Sequence, residues 1–149
     1  MDILRDVRLN ESARRTLTVA CEEALAHSQA VAPAHILLAM SRVAGPGQNV
    51  IRDLCGNVAG FRVSVEALLP DYMEPLCLPV RWTDSAKRLV RFAETVASAA
   101  GERDVSQLHL LFAGATEEAG RASFLLEILG VPEHQSLRRY VYPELMLSA

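Results

Sequence analysis

Residues 10–17 read NESARRTL, and residues 83–90 read TDSAKRLV. Position by position, both strings carry a capping side chain, an acid, a serine, an alanine, two cations and, in the last place, an aliphatic residue. The offset is 73. Further on, AHILLA at 34–39 lies over LHLLFA at 108–113 with an offset of 74. Self-similarity at a fixed period marks a supersecondary unit used twice. The fold is therefore decided by what one copy of this unit forms.

In the first copy, Ala13, Leu17, Ala20, Cys21 and Ala24 recur at spacings of three and four, which is one face of a helix. Arg14, Arg15, Thr18 and Glu22 take the other face. Asn10 suits the N-cap, and Glu11 in the first turn suits the positive end of the helix dipole. A second helix opens at Pro33, a residue preorganised for the first helical position. Its Ile36, Leu37, Leu38 and Met40 leave no polar stripe, so it is buried all round. GPG at 45–47 reads as a turn. Val50, Ile51 and Leu54 make a short third helix that Gly56 can stop. Residues 61–69, FRVSVEALL, fit both periods; helix is preferred because no partner strand is visible and a lone strand is unstable.

Pro70, Pro75 and Pro79 then block regular structure, so residues 70–81 are expected to be a linker. The pattern returns with Thr83 as N-cap and Ala86, Leu89, Val90, Ala93 and Ala97 on one face. QLHLLFAGA is again apolar all round. Short helices are expected over about 120–130 and from Pro132 to about Tyr140. The expectation is an all-α fold: two pseudo-symmetric four-helix repeats, about 8–69 and 82–142, packed as a single domain spanning 1–149.

Composition limits the function. At 149 residues the chain can hide roughly 70% of its unfolded surface. Half of it is apolar and 22% is charged, which is globular composition. A net charge of −3 gives no bulk field for nucleic acid or an anionic membrane, so neither is expected as a partner. Aromatics at 5% disfavour a base-stacking platform. No apolar run approaches a membrane span, and MDILRDVRLNESARR holds no secretory h-region, so a cytoplasmic location is expected. Cys21, Cys55 and Cys77 are odd in number and match no zinc spacing. They read as reduced thiols, and no local signature supports a catalytic one.

The ordered motifs resemble the N-terminal domain of Clp/Hsp100 chaperones, a double repeat, closest to the ClpC kind. That family opens each repeat with F-T-x-x-A-R/K-R. The matching stretches here are Leu9 to Arg15 and Trp82 to Arg88. Its second helix reads T-E-H-I/L-L-L-G/A-L, matched by Pro33 to Met40 and Gln107 to Ala113. Its ending L-E-x-L-G-V recurs as Leu126 to Val131. The resemblance implies a non-enzymatic module that docks proteins or peptides, with a Clp ATPase, an adaptor or a substrate as partner. It also admits a stand-alone decoy that sequesters peptides or peptide-like antibiotics. In ClpC members the Glu of T-E-H helps bind phosphoarginine. Those positions are Ala34 and Leu108 here, and neither can supply the carboxylate that a guanidinium needs.

Several constellations invite chemistry. Arg14, Arg15, Lys87 and Arg88 form a basic cluster if the two long helices start side by side, and Trp82, the only tryptophan, stands next to it. An aromatic beside arginine is hot-spot composition. The resemblance implies a peptide groove there that includes Arg14, Trp82 and Lys87; the bland alternative is a solvated face with Trp82 packing the repeat junction. His35 and His109 occupy equivalent positions, yet neither has a His, Asp or Glu four residues on, so both read as buried in a first turn and no metal is expected. His27 and His134 read as surface or helix-end residues. Glu22-Glu23 and Glu117-Glu118 are neighbours that cannot face one pocket on a helix, and read as solvated. A small metal- or thiol-dependent enzyme is the remaining class.

No G-x-x-x-x-G-K-[ST] phosphate loop occurs in these 149 residues, and no cofactor is expected. The purified protein is expected to release no phosphate from ATP and to carry no stoichiometric zinc. A phosphate-release assay and elemental analysis check this; turnover, or one equivalent of zinc, would place the chain in the enzyme class.

Overall fold

The computed structural model describes residues 3–68 and 81–114. The elements are α1 (Ile3–Asp6), α2 (Glu11–Ala26), α3 (Pro33–Arg42), α4 (Pro46–Cys55), α5 (Val58–Leu68), α6 (Asp84–Ala99) and α7 (Gln107–Gly114). The fold is all-α. The linker 70–80, the motif at 126–131 and the helices expected over 120–140 lie outside the described residues.

The two long helices start as the repeat requires. Asn10 Oδ1 accepts from the Ala13 amide at 2.9 Å, and Thr83 Oγ1 accepts from the Ala86 amide at 3.1 Å. Each bond satisfies one of the amides orphaned at a helix N-terminus. The inward faces of α2 and α6 are buried at the expected spacing: Ala13, Leu17, Ala20 and Ala24 on one, Ala86, Leu89, Val90, Ala93 and Ala97 on the other. In α3 every residue but Arg42 is buried, so it is the central helix of the core. It packs on α2 and α5 and also reaches α6 and α7.

Two local readings change. GPG at 45–47 is not simply a turn: Pro46 is the first residue of α4, which runs a full ten residues to Cys55. The segment after it is helical, as preferred, but starts earlier, with Asn57 Oδ1 accepting from the Ala59 amide at 2.9 Å. Gly56 does end α4, with φ of 76°, the left-handed conformation that glycine adopts without cost.

The repeats join through backbone. Val31 forms a parallel bridge with Trp82, and Leu9 forms one with Val105. The Val31 amide donates to Arg81 O and the Thr83 amide to Val31 O, both at 2.8 Å. In the second bridge the Val105 amide donates to Arg8 O at 2.8 Å and the Asn10 amide to Val105 O at 2.9 Å. Leu9 and Trp82 are equivalent, as are Val31 and Val105. Each repeat therefore holds the entry to the other's long helix.

Gln107 breaks this symmetry. It is fully buried at the first position of α7. Its Nε2 donates to Thr16 Oγ1 at 3.0 Å and to Val43 O at 2.9 Å, while its Oε1 accepts from the Gln48 amide at 2.9 Å. One amide thus ties α2, the end of α3 and the start of α4 to α7. It also explains the glycines of GPG. A Cβ on Gly45 would lie 2.6 Å from Gln107 Oε1, and one on Gly47 would lie 2.9 Å from Met40 Sδ and 3.0 Å from Gln107 O. Space, not backbone angle, requires Gly45.

Replacing Gln107 by Leu leaves the Val43 carbonyl, the Thr16 hydroxyl and the Gln48 amide short of a partner. Unmade buried bonds cost about 1–3 kcal/mol each before relaxation and water entry. Gln107→Leu is expected to destabilise by about 2–4 kcal/mol, against about 1 kcal/mol for loss of the cap in Asn10→Ala. Urea unfolding of the two variants measures the difference. Equal effects would mean that the amide network is dispensable.

Candidate functional site

Each bridge brings a set of cations to a helix entry. At the Val31 bridge, Trp82 is half-buried and packs against the core, while its neighbour Arg81 is exposed. One turn into α6, Lys87 is half-buried and Arg88 is exposed, with Arg88 Nη2 donating to Ser85 Oγ at 3.2 Å. At the Leu9 bridge, Arg14 and Arg15 are exposed, and Arg14 Nη1 donates to Leu4 O at 2.8 Å. The two bridges lie at different ends of the core. Gln107, at the start of α7, bonds to Val43, which caps the end of α3, so α3 and α7 pack start against end. Arg14 and Arg15 belong with the start of α7, and Trp82, Lys87 and Arg88 with the start of α3. The cations are thus gathered as two equivalent sets, one per entry.

Ala34 and Leu108 are the second residues of α3 and α7. Ala34 is buried; Leu108 is half-buried and packs against the core. Both repeats therefore present an apolar side chain in this first turn.

The next residue in each helix is a buried histidine acting as a cap. His35 Nδ1 accepts from the Ala32 amide at 2.9 Å, and His109 Nδ1 accepts from the Ser106 amide at 2.8 Å. An acceptor at Nδ1 puts the proton on Nε2. In His35, Nε2 donates to Gln29 Oε1 at 2.9 Å; in His109, Nε2 lies 2.9 Å from Glu102 Oε2. Gln29 and Glu102 are themselves equivalent at the offset of 73. Burial lowers the pKa of His35 to about 4, helped by the His27 ring 6.3 Å away. Burial also lowers that of His109, against the pull of Glu102. Among the described residues no group of three His, Cys, Asp or Glu side chains converges on a point where a metal could sit.

The acidic pair Glu22-Glu23 is only half as expected. Glu22 is exposed, but Glu23 is buried, with Oε1 2.6 Å from Arg42 Nε. Arg42 also lies 3.6 Å from Glu66, so one cation links α2, α3 and α5. Nothing in the local sequence signals that Glu23 turns inward, because its partner is nineteen positions away on another helix. His27 is exposed at the end of α2, with Nδ1 2.8 Å from Glu23 O, a helix-end role as expected. Cys21 is half-buried against the core. Cys77, His134, Glu117 and Glu118 lie outside the described residues.

The sign of the pH effect follows from His35. The unfolded chain binds a proton near pH 6.5; the folded chain refuses it until about pH 4. This contribution is complete above pH 6.5 and is lost as the pH falls toward 4, by about 3 kcal/mol in all. In His35→Gln a neutral amide can make the same reach to the Ala32 amide, as in a capping box. That variant is expected to show a flatter loss of stability between pH 6.5 and 4, read by urea unfolding. Parallel curves for the two proteins would remove His35 as the cause.

Comparison with known proteins follows the same lines. The family model of the Clp repeat (R) N-terminal domain matches residues 8–129. No curated protein sequence matches the chain. Among solved structures, the N-terminal domain (1–163) of the ClpV1 ATPase from the E. coli EAEC Sci1 T6SS is 25% identical, with a TM-score of 0.73 over 96% of this chain and 87% of that one. A structure described as a peptide from the EAEC T6SS Sci1 SciI protein matches at 23% identity and a TM-score of 0.72, over 92% and 87%. The Hsp104 N-terminal domain from Candida albicans shares the fold at 16% identity and a TM-score of 0.72, over 88% and 87%. With a match across both repeats and the reciprocal bridges between them, the chain belongs to the Clp repeat N-terminal domain family.

Proposed function

We propose that the chain is a docking module of a Clp chaperone system: it receives a peptide or protein segment at the helix entries and performs no chemistry of its own. The observation that carries this reading is Trp82. Its side chain packs against the core and its backbone is held by the bridge to Val31, yet it is only half-buried, with Arg81 beside it in the chain and Lys87 and Arg88 one turn into the helix that follows. A rigid aromatic costs little entropy to bury further, and cations beside it supply directional bonds. The likeness to the ClpV1 N-terminal domain, and to a structure described as a peptide from the SciI protein, supports the same role. No helix among the described residues is long and apolar enough to cross a membrane.

The segment received is not tagged by phosphoarginine. With Ala34 and Leu108 in the first turns, no carboxylate meets a guanidinium there. A charge-assisted bond contributes about 1.5–3 kcal/mol, so its loss weakens a site by roughly 10- to 150-fold. The apolar Leu108 adds desolvation cost for a polar ligand.

Titration with a random-sequence peptide library, followed by the emission of Trp82, tests the docking reading. Peptides that shift the emission are expected, by calorimetry, to bind Trp82→Ala more weakly than the wild type by about 2 kcal/mol, close to thirtyfold. The same variant is expected to keep its helical circular dichroism. A library with no binder overturns the reading, and so does a Trp82→Ala protein that binds unchanged. Calorimetry with free phosphoarginine is expected to show no micromolar binding to the wild type.

A further inference from the structure

The two repeats are a control on each other. Exposed positions deep in α2 and α6 have drifted: Thr18 against Arg91, Glu22 against Thr95, Leu25 against Ser98. At the entries the charges match in sign. Arg14 pairs with Lys87 and Arg15 with Arg88, and before the caps Arg8 pairs with Arg81, both exposed. The acids Glu11 and Asp84 also match, and the positive end of each helix accounts for them. It cannot account for the cations, which that end does not favour. Nor do local ion pairs. Arg14 reaches only the Leu4 carbonyl and Arg88 only the Ser85 hydroxyl; within the described residues no carboxylate lies within salt-bridge reach of any of the six. The protein as a whole is acidic, at −3, so counter-ions were not scarce.

We infer that the segment docked at these entries is acidic: a stretch of polypeptide rich in Asp or Glu, with an apolar side chain for Trp82. This rests on the docking reading and names the chemistry of its partner. Because the net charge of the protein repels an acidic peptide, attraction must come from the local sets of cations. It is therefore sensitive both to salt and to which cation is removed.

The probe is a short fluorescein-labelled peptide of alternating Glu and Leu, compared by anisotropy with versions carrying Gln or Lys in place of Glu. The Glu peptide is expected to bind best, and to weaken as the ionic strength rises from about 0.01 M to 0.15 M. Arg15→Glu and Arg88→Glu are each expected to weaken it by about fivefold. Arg52→Glu, a reversal at an exposed arginine of α4, is expected to leave it unchanged. Equal binding of the Gln or Lys peptide overturns the inference, as do reversals at 15 and 88 that change nothing. Tighter binding of inorganic polyphosphate than of the Glu peptide overturns it in favour of a phosphate ligand. Failure of all three peptides overturns it too, while the docking reading still stands or falls on the random-sequence library.

Discussion

Everything in this domain depends on a reciprocal exchange of backbone hydrogen bonds. The residue before each long helix is extended and must find partners for its peptide groups. It finds them not in its own repeat but in the loop that opens the second helix of the other. Four bonds of 2.8–2.9 Å therefore fix the relation of the repeats, and with it the place of each cap, each buried histidine and each set of cations. A repeat alone would leave its helix entry unpaired and one side of its central helix open to water.

On this symmetric frame the two halves have been finished differently. In the first, Glu23 turns inward to Arg42, which also approaches Glu66. In the second, the position equivalent to Glu23 is Val96, packed with Phe112 and Phe92, whose rings stack at 6.2 Å. An ion pair and an aromatic cluster do the same job of closing a helix pair, but only the ion pair fixes a direction through its bonds. Gln107 is the other departure. Its counterpart at the first position of α3 is Pro33, which has no amide to offer. Among the described residues this polar knot therefore has no counterpart at the start of α3.

Most of the fold could be read from the sequence because it rests on local signals. The caps at Asn10 and Thr83, the apolar stripes behind them and the unbroken burial of the second helix are all periodicities within one element. The offset of 73 to 74 then supplied the symmetry. What escaped were features that depend on distant partners. GPG looked like a turn because its glycines suggested backbone freedom, whereas Gly45 is glycine because Gln107 fills the space beside it. Gln107 itself looked like one polar residue in an apolar run. Glu23 looked like half of a solvated pair until Arg42 came round to it. For the candidate site, the cations and Trp82 stood out in the sequence by residue type alone, whereas their division between two helix entries depends on the bridges, whose partners are more than fifty residues apart.

Gln107 also has a consequence for the order of events during synthesis. Thr16 lies ninety-one residues ahead of its partner. At about 5–20 residues per second, the ribosome delivers that partner roughly 5–18 s after Thr16 has been made. Through that interval Thr16, the Val43 carbonyl and the Gln48 amide bond to water, and the glycines beside them face an empty place. The first repeat can form its helices early, since their contacts are near in sequence and close quickly. Among the described elements α7 arrives last; it expels that water and closes the Leu9–Val105 bridge, whereas the Val31–Trp82 bridge can form as soon as α6 begins. The bonds that tie α7 to the first repeat are thus late, and this part of the core waits on translation rather than on the folding of any one helix.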